Sequence, residues 1–236
     1  MYLANIWPPL RARLRQVIAS LLAPLCQVPV PALPQVFVVV EGQNDIEFLR
    51  RMSTLLHAVE PRLPNLAAME QRGELIFVPC GGGDSRSWAY RLAGLRRAEF
   101  HILDRDVPPA TEARQQLAAI INWRPRCRAV LTNLRTLENY IHPDAIFEVS
   151  GLRVEFSDDD DVADLVARQT YERRAGHLPW ESLPARGRKR RRDKAKARLN
   201  TEAVERMTPQ RLAEQDPKGE VRSWLETIAR LARGAE

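Results

Sequence analysis

The chain has 236 residues, 44% of them hydrophobic, which is long and apolar enough for a globular domain with its own core. No apolar run is long enough to span a membrane, and Cys26, Cys80 and Cys127 indicate free thiols in a reducing cytoplasm, not a disulfide framework or a zinc site. The net charge of +6 is concentrated in residues 186–198, and the rest of the chain is mildly acidic.

Residues 1–34 are predicted to form an amphipathic helix followed by a proline-rich link. The basic start of this segment resembles a signal peptide, but a Trp-Pro-Pro stretch precedes it and no small-x-small cleavage site follows. We favour a helix that packs its apolar face against the domain. That face contains Leu10, Leu14, Val17, Ile18, Leu21 and Leu22. The link contains Pro29, Pro31 and Pro34.

The first predicted strand, residues 36–40, is an unbroken run of β-branched and aromatic residues, typical of a parallel strand buried on both faces. It ends at Glu41 and Gly42, where a tight turn leads into a helix with apolar residues at helical spacing. Glu41 should therefore lie at the carboxyl edge of the sheet, where open α/β sheets bind ligands. Asp45 falls in the first turn of the helix and could point at the same cleft.

A second strand is predicted over Leu75 to Val78, followed by the glycine run 81–83. A helix beginning near Asp84 or Ser85 should follow, with Trp88, Leu92 and Leu95 on its apolar face. The glycines could present backbone N–H groups to a phosphate, or they could simply form a tight β-to-α turn. The sequence favours neither reading.

A third strand, Phe100 to Leu103, ends in Asp104, Arg105 and Asp106. Two residues apart on an extended chain, the two aspartates are expected to point to the same side. With Glu41 on a neighbouring strand they would form an acidic cluster. Because clustered carboxylates repel unless a cation lies among them, and hard divalent ions prefer oxygen ligands, this cluster predicts a Mg²⁺ or Mn²⁺ site.

A helix through Ala113 to Ile121 and a fourth strand from Cys127 to Leu131 complete an alternation of strands and helices, which predicts a mostly parallel α/β sheet. The segment LRTLENYIHPDAI, 134–146, then reads as a short helical turn. Arg135 and Glu138 have two interpretations there: a surface i, i+3 ion pair, with Tyr140 and Ile141 in the core, or functional groups.

The order of four short motifs resembles the TOPRIM domain of topoisomerases, primases and related nucleases. They are VVVEGQND at 38–45, CGGGD at 80–84, LDRD at 103–106 and LRTLENYI at 134–141. Within that superfamily the chain is most similar to the nuclease half of the OLD (overcoming lysogenization defect) family and its stand-alone relatives in phage defence. Val107, Pro108 and Pro109 follow Asp106 where the topoisomerase and primase pattern continues to a glycine, which favours the nuclease branch.

The resemblance implies a Rossmann-like TOPRIM domain over residues 35–150, with a helical C-terminal extension over 151–236. It also implies that Glu138 is a metal ligand and that a lysine of the basic run, Lys194 or Lys196, stabilises transition-state charge; Lys194 is taken as the catalytic candidate. The predicted metal ligands are Glu41, Asp45, Asp104, Asp106 and Glu138, of which Glu41, Asp104 and Asp106 are also assigned to catalysis.

In the C-terminal extension, the aspartates at 158–161 lack the ligand spacing of an EF-hand and are expected to lie at the start of a helix. The basic run has nine cations in thirteen residues against Asp193 alone, which favours contact with a phosphate backbone over a merely solvated face. The predicted nucleic-acid-binding residues are Arg135, Arg188, Lys189, Arg190, Arg191, Arg192 and Lys196. An amphipathic helix, Val221 to Leu231, should dock on the domain or on a partner.

Two functions fit these features. The first is a Mg²⁺- or Mn²⁺-dependent endonuclease acting on DNA or RNA by two-metal chemistry, cytoplasmic and without a membrane, working alone, as a homo-oligomer or with a separate ATPase subunit in anti-phage defence. The second is a non-catalytic nucleic-acid-binding or assembly subunit that keeps the fold as a scaffold. The complete acidic set favours the nuclease. No histidine arrangement competes, and His101, inside a strand, is expected to be a satisfied core residue.

Overall fold

A four-stranded parallel sheet forms the centre of the computed structural model, which describes residues 34–81, 85–173 and 178–234. The strands are β1 (Val36–Val40), β2 (Leu75–Pro79), β3 (Ala98–Leu103) and β4 (Cys127–Leu131), in the order β2-β1-β3-β4. The register aligns Val38 of β1 with Phe77 of β2 and Phe100 of β3. The predicted α/β class, a parallel sheet with flanking helices, is confirmed.

Helices follow β1, β3 and β4, as the sequence predicts, and further helices complete the chain. They are α1 (Gln43–Val59), α2 (Leu66–Gln71), α3 (Ala110–Asn122), α4 (Pro143–Ser150), α5 (Val162–Glu172), α6 (Ala185–Arg198), α7 (Pro209–Gln215) and α8 (Glu220–Ala232). The basic run is a single helix, α6, that continues into a π-helical turn, Leu199–Ala203. Asp161 caps α5 by accepting from the Asp164 N–H at 2.9 Å, so the acidic stretch at 158–161 does begin a helix.

The prediction of a helix through Trp88, Leu92 and Leu95 is wrong. Two short 3₁₀ turns, Ser85–Ala89 and Ala93–Leu95, replace it. Leu95 is 54% exposed, so these residues do not form one continuous buried face despite their helical spacing. Arg96 then takes a left-handed conformation, with φ of 51°, which ends the second turn.

Some predictions fall outside the described residues. The amphipathic helix from Leu10 to Leu22 is one of them. The phosphate-binding reading of the glycine turn is another, because Gly82, Gly83 and Asp84 are outside the described ranges.

The hydrophobic core is continuous from β1 through α8. Val36, Val38 and Phe100 of the sheet belong to the same cluster as Trp224 and Ile228 of α8. The tail helix therefore docks on the domain itself. None of the helices in the described ranges combines the length and apolarity needed to cross a membrane.

Candidate active site at the carboxyl edge of the sheet

Glu41 and Asp45 follow β1 directly and mark the carboxyl edge of the sheet. Gly42 is the N-terminal cap of α1 in an extended conformation, and its N–H donates to Asp45 Oδ2 at 2.8 Å. This bond turns the Asp45 side chain back to the end of β1, where it is 3% exposed. Asp45 Oδ1 is buried and accepts no hydrogen bond from the described residues.

Asp104 and Asp106 do not share a side, contrary to the expectation from an extended chain. β3 ends at Leu103, and Asp106 takes a left-handed conformation with φ of 55°. Asp104 is buried, whereas the Asp106 side chain is 31% exposed and accepts from Arg114 Nη2 at 2.8 Å. The period-two rule fails here because the strand has already ended.

Arg114 and Arg135 place positive charge at the exposed rim of the edge. Arg114 Nη2 lies 3.9 Å from Glu41 Oε2, so Arg114 connects Glu41 with Asp106. Arg135 Nε lies 3.9 Å from Asp106 Oδ1 and donates no hydrogen bond to the described residues. The rim thus holds two carboxylates and two guanidinium groups.

Glu138 lies at the buried floor of the same edge and is 1% exposed. It accepts a hydrogen bond from Asn200 Nδ2 at 2.6 Å, and Lys196 Nζ lies 3.5 Å from its Oε1. The surface ion-pair interpretation is wrong, because Arg135 donates to the Asp159 carbonyl at 2.9 Å instead of pairing with Glu138. Tyr140 and Ile141 are core residues, as that interpretation also expected.

Lys196, and not Lys194, is the lysine beside the carboxylates. Its ammonium is 3.6 Å from Asp45 Oδ1 as well as 3.5 Å from Glu138 Oε1. Two residues apart on a helix, Lys194 and Lys196 point about 200° away from each other. Lys194 instead lines a separate groove with Val149 and Ala195. The structure therefore places Lys196 beside the carboxylates, whereas the catalytic role of Lys194 and the nucleic-acid-binding role of Lys196 stay predictions.

The electrostatics of the floor reflect burial of several charges together. Burial, reinforced by Glu138 and opposed by Lys196, raises the pKa of Asp45 to about 6. Burial first, and Asp45 second, raises the pKa of Asp104 well above its ordinary value. Burial alone would lower the pKa of Lys196, but the surrounding carboxylates, Glu138 first, raise it. The ammonium thus serves as a counter-ion inside the cluster.

The donor set suits a hard divalent cation in its chemistry, since it offers carboxylate oxygens, one of them buried and without a hydrogen bond. In the arrangement seen, however, no three Asp, Glu, His or Cys side chains of the described ranges form a metal-binding group. Lys196 Nζ lies among the carboxylates. A metal would require the side chains of Asp45, Asp104 and Glu138 to close around it.

The other cations predicted to bind nucleic acid are spread over several environments. Arg192 donates to Asp161 Oδ2 at 2.8 Å, and the Arg191 guanidinium lies 4.9 Å from the centre of the Tyr171 ring. Lys189 and Arg190 are exposed and Arg188 is half-buried. Only Lys196 of the basic run reaches the carboxylates within ion-pair distance among the described residues.

Neither His101 nor the described thiols, Cys80 and Cys127, is arranged for catalysis. His101 is 1% exposed and bonds Glu99 at 2.9 Å, so the expectation of a satisfied core histidine is confirmed. Burial raises the pKa of Cys127 to about 11, and burial with the nearby Glu41 raises the pKa of Cys80. Neither thiol is set up as a thiolate nucleophile.

Sequence reasoning missed Asn200 and Arg114. Asn200 is fully buried in the π-helical turn after α6, and π-turns recur at functional sites. A single asparagine in a polar stretch gives no sequence signal for that role. Arg114 lies one turn into α3, the helix that follows the Asp106 segment. Its closeness in sequence to Asp106 was the only signal that it could reach the site.

Among solved structures, one with a similar fold was found by comparison with this chain. It is the C-terminal region of the Xanthomonas campestris pv. campestris OLD protein, 13% identical, with a TM-score of 0.48. The alignment covers 86% of this chain and 97% of that one. No family model and no curated protein matches. The function proposed next therefore rests on the geometry of the site and on the sequence motifs.

Proposed function

We propose that this protein is a metal-dependent phosphodiesterase that cleaves nucleic acid at the carboxyl edge of its sheet. One observation carries the proposal: Asp45, Asp104 and Glu138 are all buried around one ammonium group, and Asp45 Oδ1 has no hydrogen-bond donor. Burying several carboxylates is costly unless cations compensate them. A fold that needed only stability would place apolar residues there.

The side chains of Asp45, Asp104 and Glu138 would hold the metal from the floor, with Glu41 at its open side. A bound divalent ion would supply charge to activate water and to stabilise the attacking and leaving oxygens. Lys196 compensates part of the negative charge of Asp45 and Glu138. Its ammonium can also stabilise the negative charge that develops on a phosphate. Arg114 and Arg135 at the rim orient the phosphate by charge-assisted hydrogen bonds.

Asp106 has a different proposed role from the one the sequence suggests. Because it accepts from Arg114 at 2.8 Å and lies on the rim, it holds that guanidinium toward the cleft. Its assignment as a metal ligand and catalytic group stays a prediction. The TOPRIM and OLD-type motifs support a nuclease, and an ATPase partner, a role in phage defence and a cytoplasmic location are proposals from that resemblance.

A non-catalytic scaffold is the second candidate, and Lys196 is the observation that favours it. Its ammonium already compensates Asp45 and Glu138 without a metal, and the described carboxylates do not form a three-ligand group. In that case the chain would bind nucleic acid through α6 and its arginine rim, and it would leave the phosphodiester intact.

Cleavage of supercoiled plasmid, single-stranded DNA and bulk tRNA with Mg²⁺ or Mn²⁺ distinguishes the two candidates. The nuclease predicts cutting that EDTA stops and that Asp104→Asn and Glu41→Gln abolish. Exposed Glu226→Gln on α8 is the matched control and should cut like the wild type. If nucleic acid is bound but none of the three substrates is cut, the scaffold is the function.

A further inference from the structure

Seven of the nine cations of α6 fall into two rows on different faces of the helix. Arg188, Arg192 and Lys196 are spaced by four residues and form the site row, which leads to the carboxylates. Arg192 pairs with Asp161 and Lys196 with Asp45 and Glu138. The groove row consists of Arg190, Arg191, Lys194 and Arg198, and it borders a groove between α4, α5 and α6.

That groove has a volume of about 500 Å³, within the range of pockets that bind ligands. Its floor is almost entirely aliphatic. The floor residues are Ile146, Val149, Val166, Ala167, Ala195, Leu199 and Ala203. Thr170, Ser150 and Tyr171 are the uncharged polar residues of the lining. An apolar floor beneath a cationic border favours a partner that carries both apolar and anionic groups.

The border has charge that the described chain leaves unpaired. Arg198 bonds Glu202, and Arg191 stacks on Tyr171. In contrast, Arg190 and Lys194 are exposed and have no carboxylate within 4.0 Å in the described ranges. Among the described residues, Arg190 and Lys194 are therefore two border cations without a carboxylate partner.

Charge and polarity together decide between the occupants. A nucleic-acid backbone would use the cations but would bring no apolar group to the aliphatic lining, in which Val149 is half-buried and the other residues are buried. A helix with apolar residues at i, i+3 and i+4 flanked by carboxylates satisfies both the floor and the border.

We propose that this groove docks an acidic amphipathic helix of a partner protein. Apolar side chains of that helix enter the trough over Val149 and Val166, and its Asp or Glu residues pair with Arg190 and Lys194. This inference does not depend on the nuclease activity, since the groove row faces away from the site row.

The test is selection of a displayed library of random 16-residue peptides (about four helical turns) on the purified full chain, with counter-selection on Arg190→Glu/Lys194→Glu. The selected peptides should carry carboxylates beside an apolar helical stripe. In fluorescence anisotropy, Lys194→Glu and Thr170→Glu should each weaken binding of the best peptide by about tenfold or more, or about 1.4 kcal/mol. Exposed Lys218→Glu, between α7 and α8, is the matched control and should leave the affinity unchanged.

Three outcomes would overturn the inference. One is a selection that yields basic peptides or no shared pattern. Another is an equal loss of peptide affinity in Lys194→Glu and Lys218→Glu, which would show attraction to net charge alone. The third is that Lys194→Glu weakens binding of single-stranded DNA and leaves the peptide unaffected, which would assign the groove row to nucleic acid.

Discussion

Glu138 is buried and depends on two donors, the Asn200 amide at 2.6 Å and the Lys196 ammonium at 3.5 Å. The amide also donates to the Lys196 carbonyl at 2.9 Å, so one side chain fixes both the carboxylate and the backbone that carries the lysine. Removing a donor from a buried carboxylate costs more than the bond is worth in water, because the charge is left without compensation.

Asn200→Leu should therefore lower the free energy of unfolding by about 1–3 kcal/mol and reduce nuclease activity. Urea unfolding monitored by tryptophan fluorescence measures the first effect. Thr201→Ala in the same π-turn is the control, since the Thr201 hydroxyl bonds only the Ala197 carbonyl. Equal stability of wild type and Asn200→Leu would contradict the positioning role of Asn200.

Glu99 forms a second buried polar group, on β3, that the sequence did not reveal. It accepts from Arg124 Nη1 at 3.0 Å and bonds His101 at 2.9 Å. Burial would raise the pKa of Glu99, but His101 and Arg124 outweigh it and hold the pKa below the ordinary value. The network ties β3 to the C-terminal end of α3.

A lowered pKa in the folded state means that the Glu99 charge stabilises the fold above the ordinary value of 4.5, and that this contribution is lost as the pH falls below it. Glu99→Gln should cost about 1.5–3 kcal/mol at neutral pH. The difference from wild type should shrink near pH 3.5. Denaturant titrations at the two pH values test this, with exposed Glu112→Gln as control; a difference independent of pH would refute it.

At the scale of elements, α6 carries two kinds of surface on one basic helix. The site row continues toward the carboxylates, and the groove row borders an aliphatic trough. The sequence predicted nucleic-acid contact for cations of both rows, because charge alone does not show which way each side chain points. The position of each residue around the helix axis assigns it to one row or the other.

Arg188→Ala, in the site row, should weaken binding of single-stranded DNA and lower the salt slope by about one unit if it contacts one phosphate. Arg190→Ala, in the groove row, should leave both the affinity and the slope nearly unchanged. Anisotropy titrations over a series of salt concentrations measure the two. The reverse ranking would mean that the groove row is the nucleic-acid surface.

The docking of α8 is a second property of an element. Trp224 packs edge-on against Tyr140, with ring centres 5.2 Å apart, and Tyr140 donates to Glu220 at the start of the same helix. The tail thereby supports the segment that carries Glu138.

Trp224→Ala should cost about 3–5 kcal/mol because it leaves a cavity between α8 and the sheet. Exposed Arg230→Ala on the same helix should change stability by less than about 0.5 kcal/mol. Thermal unfolding of the two variants gives the comparison. A small effect of Trp224→Ala would show that α8 is not part of the folded core.

At the scale of the whole molecule, the sequence predicted the sheet well because each strand is a short apolar run closed by a breaker. Val36 to Val40 end at Glu-Gly, and Cys127 to Leu131 lie between polar turns. The sequence also predicted that Glu41, Asp45 and Asp104 lie at one edge, because that placement follows from parallel strands alone.

The rest depended on contacts between distant segments. Asp106 lies at the rim, apart from Asp104, because its left-handed backbone follows the end of β3. Lys196 lies beside the carboxylates and Lys194 does not, because the packing of α6 sets which face meets the sheet. Asn200 lies 62 positions from Glu138, and no local pattern connects them. Long-range packing, which a single sequence does not display, decided these three.

Binding of Mn²⁺ to the purified full chain, measured by isothermal titration calorimetry without nucleic acid, is the decisive experiment for the proposed metal centre. We expect saturable binding in the wild type and in Glu226→Gln, and loss of that binding in Asp104→Asn. Absence of binding in the wild type, or equal binding in the wild type and Asp104→Asn, would contradict a metal centre at the carboxyl edge of this sheet.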